Sequence, residues 1–130
     1  MANKIKTTAA TNERQILFAT QPYMAVGVVM SATGAVTVNG RKIQKAGTPI
    51  AGSLEARTTA FTVAADSGET TKTSNAVAVL LHDVDVTDGA ENATALIFGF
   101  VDLNKLESDV VTKVTAAAKT ALAGKVTFLK

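Results

Sequence analysis

The amino-acid sequence predicts a mainly β protein with one helix in its C-terminal region. Three observations predict it: apolar residues form short, strand-sized runs, Asn39–Gly40 separates two of these runs, and helical spacing begins only at Leu103. Short apolar runs bounded by turn residues are typical of strands. The chain has 130 residues, 47% of them hydrophobic, which is enough for one core but not for two. We therefore expect one compact domain, a wedge of the β-barrel or β-sandwich kind.

Residues 1–15 differ from the rest of the chain because they are polar, with Ile5 almost alone as a large aliphatic side chain. We predict a flexible N-terminal arm over residues 1–15 and a single β-rich domain over residues 16–130. Two interpretations of the arm remain open: an idle terminus, or a segment that becomes ordered on the surface of a partner.

The first part of the domain predicts a strand and then a hairpin. Residues 25–30 form an apolar run that is typical of a buried strand. Asn39–Gly40 lies between residues 35–38 and 41–45, and this dipeptide suits a tight turn because both of its residues tolerate positive φ. The basic side chains of residues 41–45 favour an exposed edge strand.

The middle of the chain predicts a loop followed by the central strands. Residues 66–74 are small and polar, and we expect them to form an exposed loop. Residues 76–81 are all apolar, which favours a central strand buried on both faces. Alternation continues this strand through residues 82–86, and residues 93–101 predict a further strand.

The apolar spacing changes to the helical period near the C-terminus. One stripe of apolar residues recurs every three or four positions and predicts a helix over about 104–123. Gly124 suits the C-cap of this helix, and residues 126–129 predict a last strand. The stripe consists of Leu103, Leu106, Val110, Val114, Ala117, Ala118, Ala121 and Leu122.

Composition excludes several classes of function. The chain has no Cys and one His, which excludes disulfide frameworks, thiolate zinc sites, cysteine nucleophiles and multi-histidine metal sites within one chain. A net charge of +2 predicts no strong attraction to nucleic acid or to anionic lipid. No apolar run has the length of a membrane helix and the N-terminus lacks a secretory signal, so we expect a soluble protein made in a cytoplasm.

The acidic stretch from Asp83 to Glu91 is the one candidate for a metal site. Asp83 and Asp85 have the spacing of a calcium loop, but the next acid falls at Asp88 and the closing position holds Thr94. We therefore predict no metal and no cofactor, and we interpret these acids as part of an exposed strand and its turn. A weak, irregular cation site is the alternative.

His82 is the only imidazole, and the sequence offers it no recognisable nucleophile to activate. The Gly-x-Ser-x-Gly elbow of hydrolases is missing, and we predict no catalytic residue and no enzyme. The alternative, an enzyme or a small-ligand module, requires a pocket in which His82, Asp83 and Asp85 converge.

Charge is unevenly distributed along the chain. Residues 1–60 are predominantly basic, whereas residues 83–109 are predominantly acidic. Opposite charges on two sides of a subunit favour the meeting of identical subunits. The candidate contacts between subunits are Arg41, Lys45, Asp83 and Asp85. The alternative is that both charged faces are simply solvated.

Five short segments follow one another in a characteristic order. They are Gly34–Gly40, Ala46–Ile50, Ala78–Thr87, Ala93–Asp102 and Leu103–Leu106. Their outline is a hairpin, an Ala-Gly-Thr-Pro entry, an apolar strand that runs into Asp-Val-Asp, and a Gly-Phe-Val-Asp-Leu segment. This order resembles the tailed-bacteriophage head decoration proteins, also called capsid-stabilising or head fibre proteins, which are broadly similar to the lambda head decoration protein.

The resemblance implies a non-enzymatic virion structural protein, made in the host cytoplasm and located on the outer surface of the expanded capsid. The implied partner is the major capsid protein, bound by homotrimers at three-fold or quasi-three-fold sites that stabilise the head against DNA pressure. In such proteins the N-terminal arm contacts the shell, and the candidates here are Lys4, Ile5, Lys6 and Arg14. The alternative is another phage component, of the head–tail connector or tail-tube type, that forms rings.

Overall fold

Strands make up 42% of the structure and helices 12%, which confirms the predicted mainly β fold. The structure is a computed structural model and describes residues 16–17 and 23–130. The predicted arm over residues 1–15 lies outside the described residues. In chain order the strands are β1 (Met24–Met30), β2 (Val36–Val38), β3 (Arg41–Gln44), β4 (Pro49–Ala51), β5 (Thr62–Val63), β6 (Asp66–Ser67), β7 (Thr73–Ser74), β8 (Ala78–Leu80), β9 (Val84–Asp85), β10 (Glu91–Asp102) and β11 (Val126–Leu129). A 3-10 turn at Leu103–Lys105 is followed by helices α1 (Ser108–Val111) and α2 (Ala116–Ala121).

The long strand β10 organises the main sheet, whose order is β1-β10-β8-β4-β5, with β11 paired in parallel to the end of β10. Phe61, the residue before β5, forms hydrogen bonds with β1 and with the residue that follows this strand. The Phe61 N–H donates to the Val29 carbonyl at 2.7 Å, and the Ser31 N–H donates to the Phe61 carbonyl at 2.9 Å. These bonds bring the last strand of the sheet back to the first and close a small barrel, as the predicted barrel-like core requires.

Alternation along the strands separates two hydrophobic cores. In β8, Ala78 and Leu80 belong to the core of the barrel, whereas Val79 belongs to a second core shared with the C-terminal helices. All three residues are buried, which confirms a central strand with two buried faces, although it spans Ala78–Leu80 and not all of residues 76–81. The predicted continuation of this strand through residues 82–86 is wrong, because β9 pairs with β3 in a different sheet. The barrel core consists of Val28, Met30, Ile50, Phe61, Ala78, Leu80, Val84, Val86 and Ala95. The second core includes Ile16, Leu17, Val79, Leu81, Leu96, Val101, Leu106, Val110, Val114, Ala118, Leu122 and Val126.

The hairpin predicted around Asn39–Gly40 is present. Strands β2 and β3 pair on either side of this turn, and both turn residues have positive φ, 52° for Asn39 and 80° for Gly40. The expected edge position of β3 is wrong, since β3 lies between β2 and β9 in a three-stranded sheet. Its basic side chains, Arg41 and Lys42, are exposed nevertheless. Successive strand residues point to opposite faces, so both faces of the sheet meet water at this end of β3.

The single helix predicted over residues 104–123 is wrong, because the structure divides this segment into the 3-10 turn, α1 and α2. Thr115 has an extended backbone, and its hydroxyl accepts a hydrogen bond from the Ala118 N–H at 3.1 Å, so that Thr115 caps a new helix. β-branched residues crowd the preceding interval from Val110 onwards, which lowers its helix propensity. The predicted apolar stripe still faces the core, with Leu106, Val110, Val114, Ala118 and Leu122 buried.

Two other segments differ in part from expectation. The strand predicted over residues 25–30 is present in β1, but only Val28 and Met30 are buried. The reason is that alternate residues of β1 face the barrel core, whereas Ala25 is only half-buried against the second core. The loop expected over residues 66–74 is largely exposed, and it also contains the short hairpin formed by β6 and β7.

Candidate functional site

The four residues predicted as contacts between subunits lie around one concavity of about 390 Å³. The pairing of β3 with β9 brings them together, because it places Ile43 opposite Asp85. The lining consists of Val38, Asn39, Arg41, Ile43, Lys45, Asp83, Asp85 and Glu107. Residues that the sequence singled out for their charge are therefore neighbours in space.

An ion pair with a network of hydrogen bonds borders this concavity. Arg41 Nε donates to Asp85 Oδ2 at 2.8 Å, and both side chains are about half exposed. Thr87 donates twice to Asp85 Oδ1, through its hydroxyl at 2.6 Å and through its backbone N–H at 3.0 Å. The Thr87 hydroxyl oxygen also accepts the Lys42 N–H at 2.8 Å, so the network ties the end of β9 to β3.

These partners hold Asp85 in its ionised form. The hydrogen bonds from Thr87, followed by the bond from Arg41, lower the pKa of the Asp85 carboxyl to about 2. The same carboxylate raises the pKa of the Arg41 guanidinium. A carboxylate with so low a pKa is a weak general base at neutral pH. The arrangement therefore favours a structural role for Asp85 over proton transfer.

A second group of charges surrounds Lys45, whose side chain is only 12% exposed. Lys45 Nζ lies 3.1 Å from Glu107 Oε1 and 3.1 Å from Asp109 Oδ2. Burial opposes the charge on Lys45, but the two carboxylates outweigh it, so the pKa of Lys45 is raised. Burial also opposes the charge on Asp109, and there the Lys45 ammonium outweighs it, so the pKa of Asp109 is lowered.

Asp83 supports the backbone at the entry to β4. Its Oδ1 accepts a hydrogen bond from the Ala46 N–H at 2.7 Å. Ala46 is buried, so this carboxylate satisfies a backbone donor that water does not reach. Each of the four residues predicted as contacts between subunits thus has a partner within its own chain.

The acidic stretch that includes Asp83 and Asp85 does not form a metal centre with its neighbours. Across residues 16–17 and 23–130, no group of three or more His, Asp or Glu side chains is arranged to hold a metal ion. His82 is not part of the lining of the concavity. Its Nδ1 is buried and has no hydrogen-bond partner in the described part of the chain. The convergence required by the enzyme alternative is therefore present for Asp83 and Asp85 but not for His82.

Three residues that complete the charged network were not singled out by the sequence: Thr87, Glu107 and Asp109. The sequence indicated only that residues 83–109, which include Glu107 and Asp109, are predominantly acidic. Their pairing with Lys45 spans 62 and 64 positions, so it follows from the tertiary fold and not from any local pattern.

The remaining sequence predictions concern the arm and the class of protein. The candidate shell contacts Lys4, Ile5, Lys6 and Arg14 lie outside the described residues. Within the described ranges, no helix has the length and the apolar character needed to span a bilayer. A scan against protein-family models finds no match to the chain, and a search of curated proteins finds none with significant similarity.

Proposed function

We propose that the protein is a non-enzymatic structural component of a tailed-phage virion that binds the outer surface of the expanded capsid. It would stabilise the head against the pressure of packaged DNA, as trimers bound to the major capsid protein at three-fold or quasi-three-fold sites. One observation carries the proposal, namely the order of the five segments that resembles the order in head decoration proteins. In the fold these segments form one connected unit.

The Ala-Gly-Thr-Pro segment lies at the centre of this unit. Gly47 has a φ of 94°, and its Cα approaches the Leu106 side chain so closely that a Cβ at this position would overlap it. The Gly47 N–H donates to the Leu80 carbonyl at 2.8 Å, and the Ala46 N–H donates to Asp83. The segment therefore contacts both the Asp-Val-Asp segment and the Leu103–Leu106 segment.

The other two segments join the unit through strand pairing. Strand β10, which contains the whole Ala93–Asp102 segment, pairs with β8 at Ala95 and Leu96. The hairpin joins through β3, which pairs with β9. Apolar runs of any small domain pack into its core, so these contacts are compatible with the resemblance, and the proposal rests on the order of the segments.

The architecture also suits the proposed role. A decoration protein acts through many bound copies, so each copy needs only a modest interface and a rigid body. The closed barrel, with its second core beneath short helices, provides such a body.

Co-sedimentation with purified heads tests the proposal. The full chain is mixed with expanded heads of the phage that carries its gene, with unexpanded shells as the control. We expect saturable binding to expanded heads only, at about three copies per three-fold site. Absence of binding to both kinds of shell overturns the proposal. Six-fold rings of the chain in electron micrographs favour the connector or tail-tube alternative.

A variant that lacks residues 1–15 tests the role of the arm in the same assay. We expect it to bind expanded heads more weakly than the full chain, because the candidates Lys4, Ile5, Lys6 and Arg14 are removed with the arm. Circular dichroism provides the control for folding. Binding as tight as that of the full chain would contradict a role for the arm.

A further inference from the structure

We draw no further inference here: the strongest candidate, the exposed apolar surface formed by Met24 of β1 and its ladder partner Phe98 of β10, is an unpartnered face of the sheet, and nothing in the structure shows what covers it.

Discussion

Arg41 Nε and Asp85 Oδ2 lie 2.8 Å apart and join β3 to β9 across 44 positions of sequence. Both side chains are about half exposed, so water and salt screen the charge–charge attraction between them. The two bonds from Thr87 are the leading cause of the low pKa of Asp85. The carboxylate is therefore held chiefly by its hydrogen bonds, and the guanidinium adds to them.

Removal of this carboxylate is expected to lower the stability of the fold to a small extent. Asp85→Ala removes the acceptor of three hydrogen bonds, and we expect the melting temperature to fall by a few degrees. Glu69→Ala, at an exposed acid of the loop around β6 and β7, is the matched control and is expected to leave the melting temperature unchanged. Equal effects of the two substitutions would show that the network does not stabilise the fold.

The contribution of Asp85 depends on pH in a defined direction. Its pKa is lowered from 3.8 to about 2 in the folded protein. A carboxyl with a lowered pKa stabilises the fold fully above its unfolded value, and this stabilisation is lost as pH falls through the folded value. We expect the stability difference between the unmodified chain and Asp85→Ala to be constant above about pH 5 and to shrink as the pH falls from there towards 2. Urea unfolding at several pH values measures it, and a difference that does not change with pH contradicts the assignment.

Gly47 is expected to tolerate substitution less well than Gly40, although both have positive φ. A Cβ at Gly40 meets nothing within 4 Å, so Gly40→Ala carries only the backbone strain of about 1–2 kcal/mol. A Cβ at Gly47 overlaps the Leu106 side chain, which adds an overpacking cost of about 1–3 kcal/mol. Urea unfolding of both variants gives the two free energies, and equal losses would contradict the close approach of Gly47 to Leu106.

Thr115 is expected to stabilise α2 through its cap. Thr115→Ala removes the acceptor of the Ala118 N–H and also the hydroxyl that donates to Asp66 Oδ1 at 3.1 Å. We expect a loss of about 0.5–2 kcal/mol in the free energy of unfolding, chiefly from the cap. Thr120→Ala, at an exposed position within α2, is expected to change stability by less than about 0.5 kcal/mol. A loss at Thr120 as large as that at Thr115 would show that the cap does not anchor this helix.

The parts of the fold that sequence predicted correctly depend on local chemistry. The hairpin at Asn39–Gly40 follows from the positive φ that both residues tolerate. The buried strand β8 and the last strand β11 follow from short apolar runs. Each of these signals lies within a few residues of the structure it predicts.

The parts that sequence did not predict depend on contacts between distant residues. The apolar stripe that begins at Leu103 was correctly assigned to the core, but its periodicity does not reveal that Thr115 starts a new helix. The partners of Lys45 lie on the C-terminal segment and become neighbours only through the tertiary fold. The concavity is likewise a consequence of the pairing of β3 with β9, for which no local pattern exists.

The position of β1 beside β10 has a consequence for the newly made chain. All of the strands from β2 to β9 are synthesised between these two partners. Domains dominated by such distant pairings fold slowly, in milliseconds to seconds. During synthesis the apolar residues of β1 therefore remain without their native partner, β10, until nearly the whole domain has left the ribosome. That interval is the period in which this chain is most open to association with other unfolded chains.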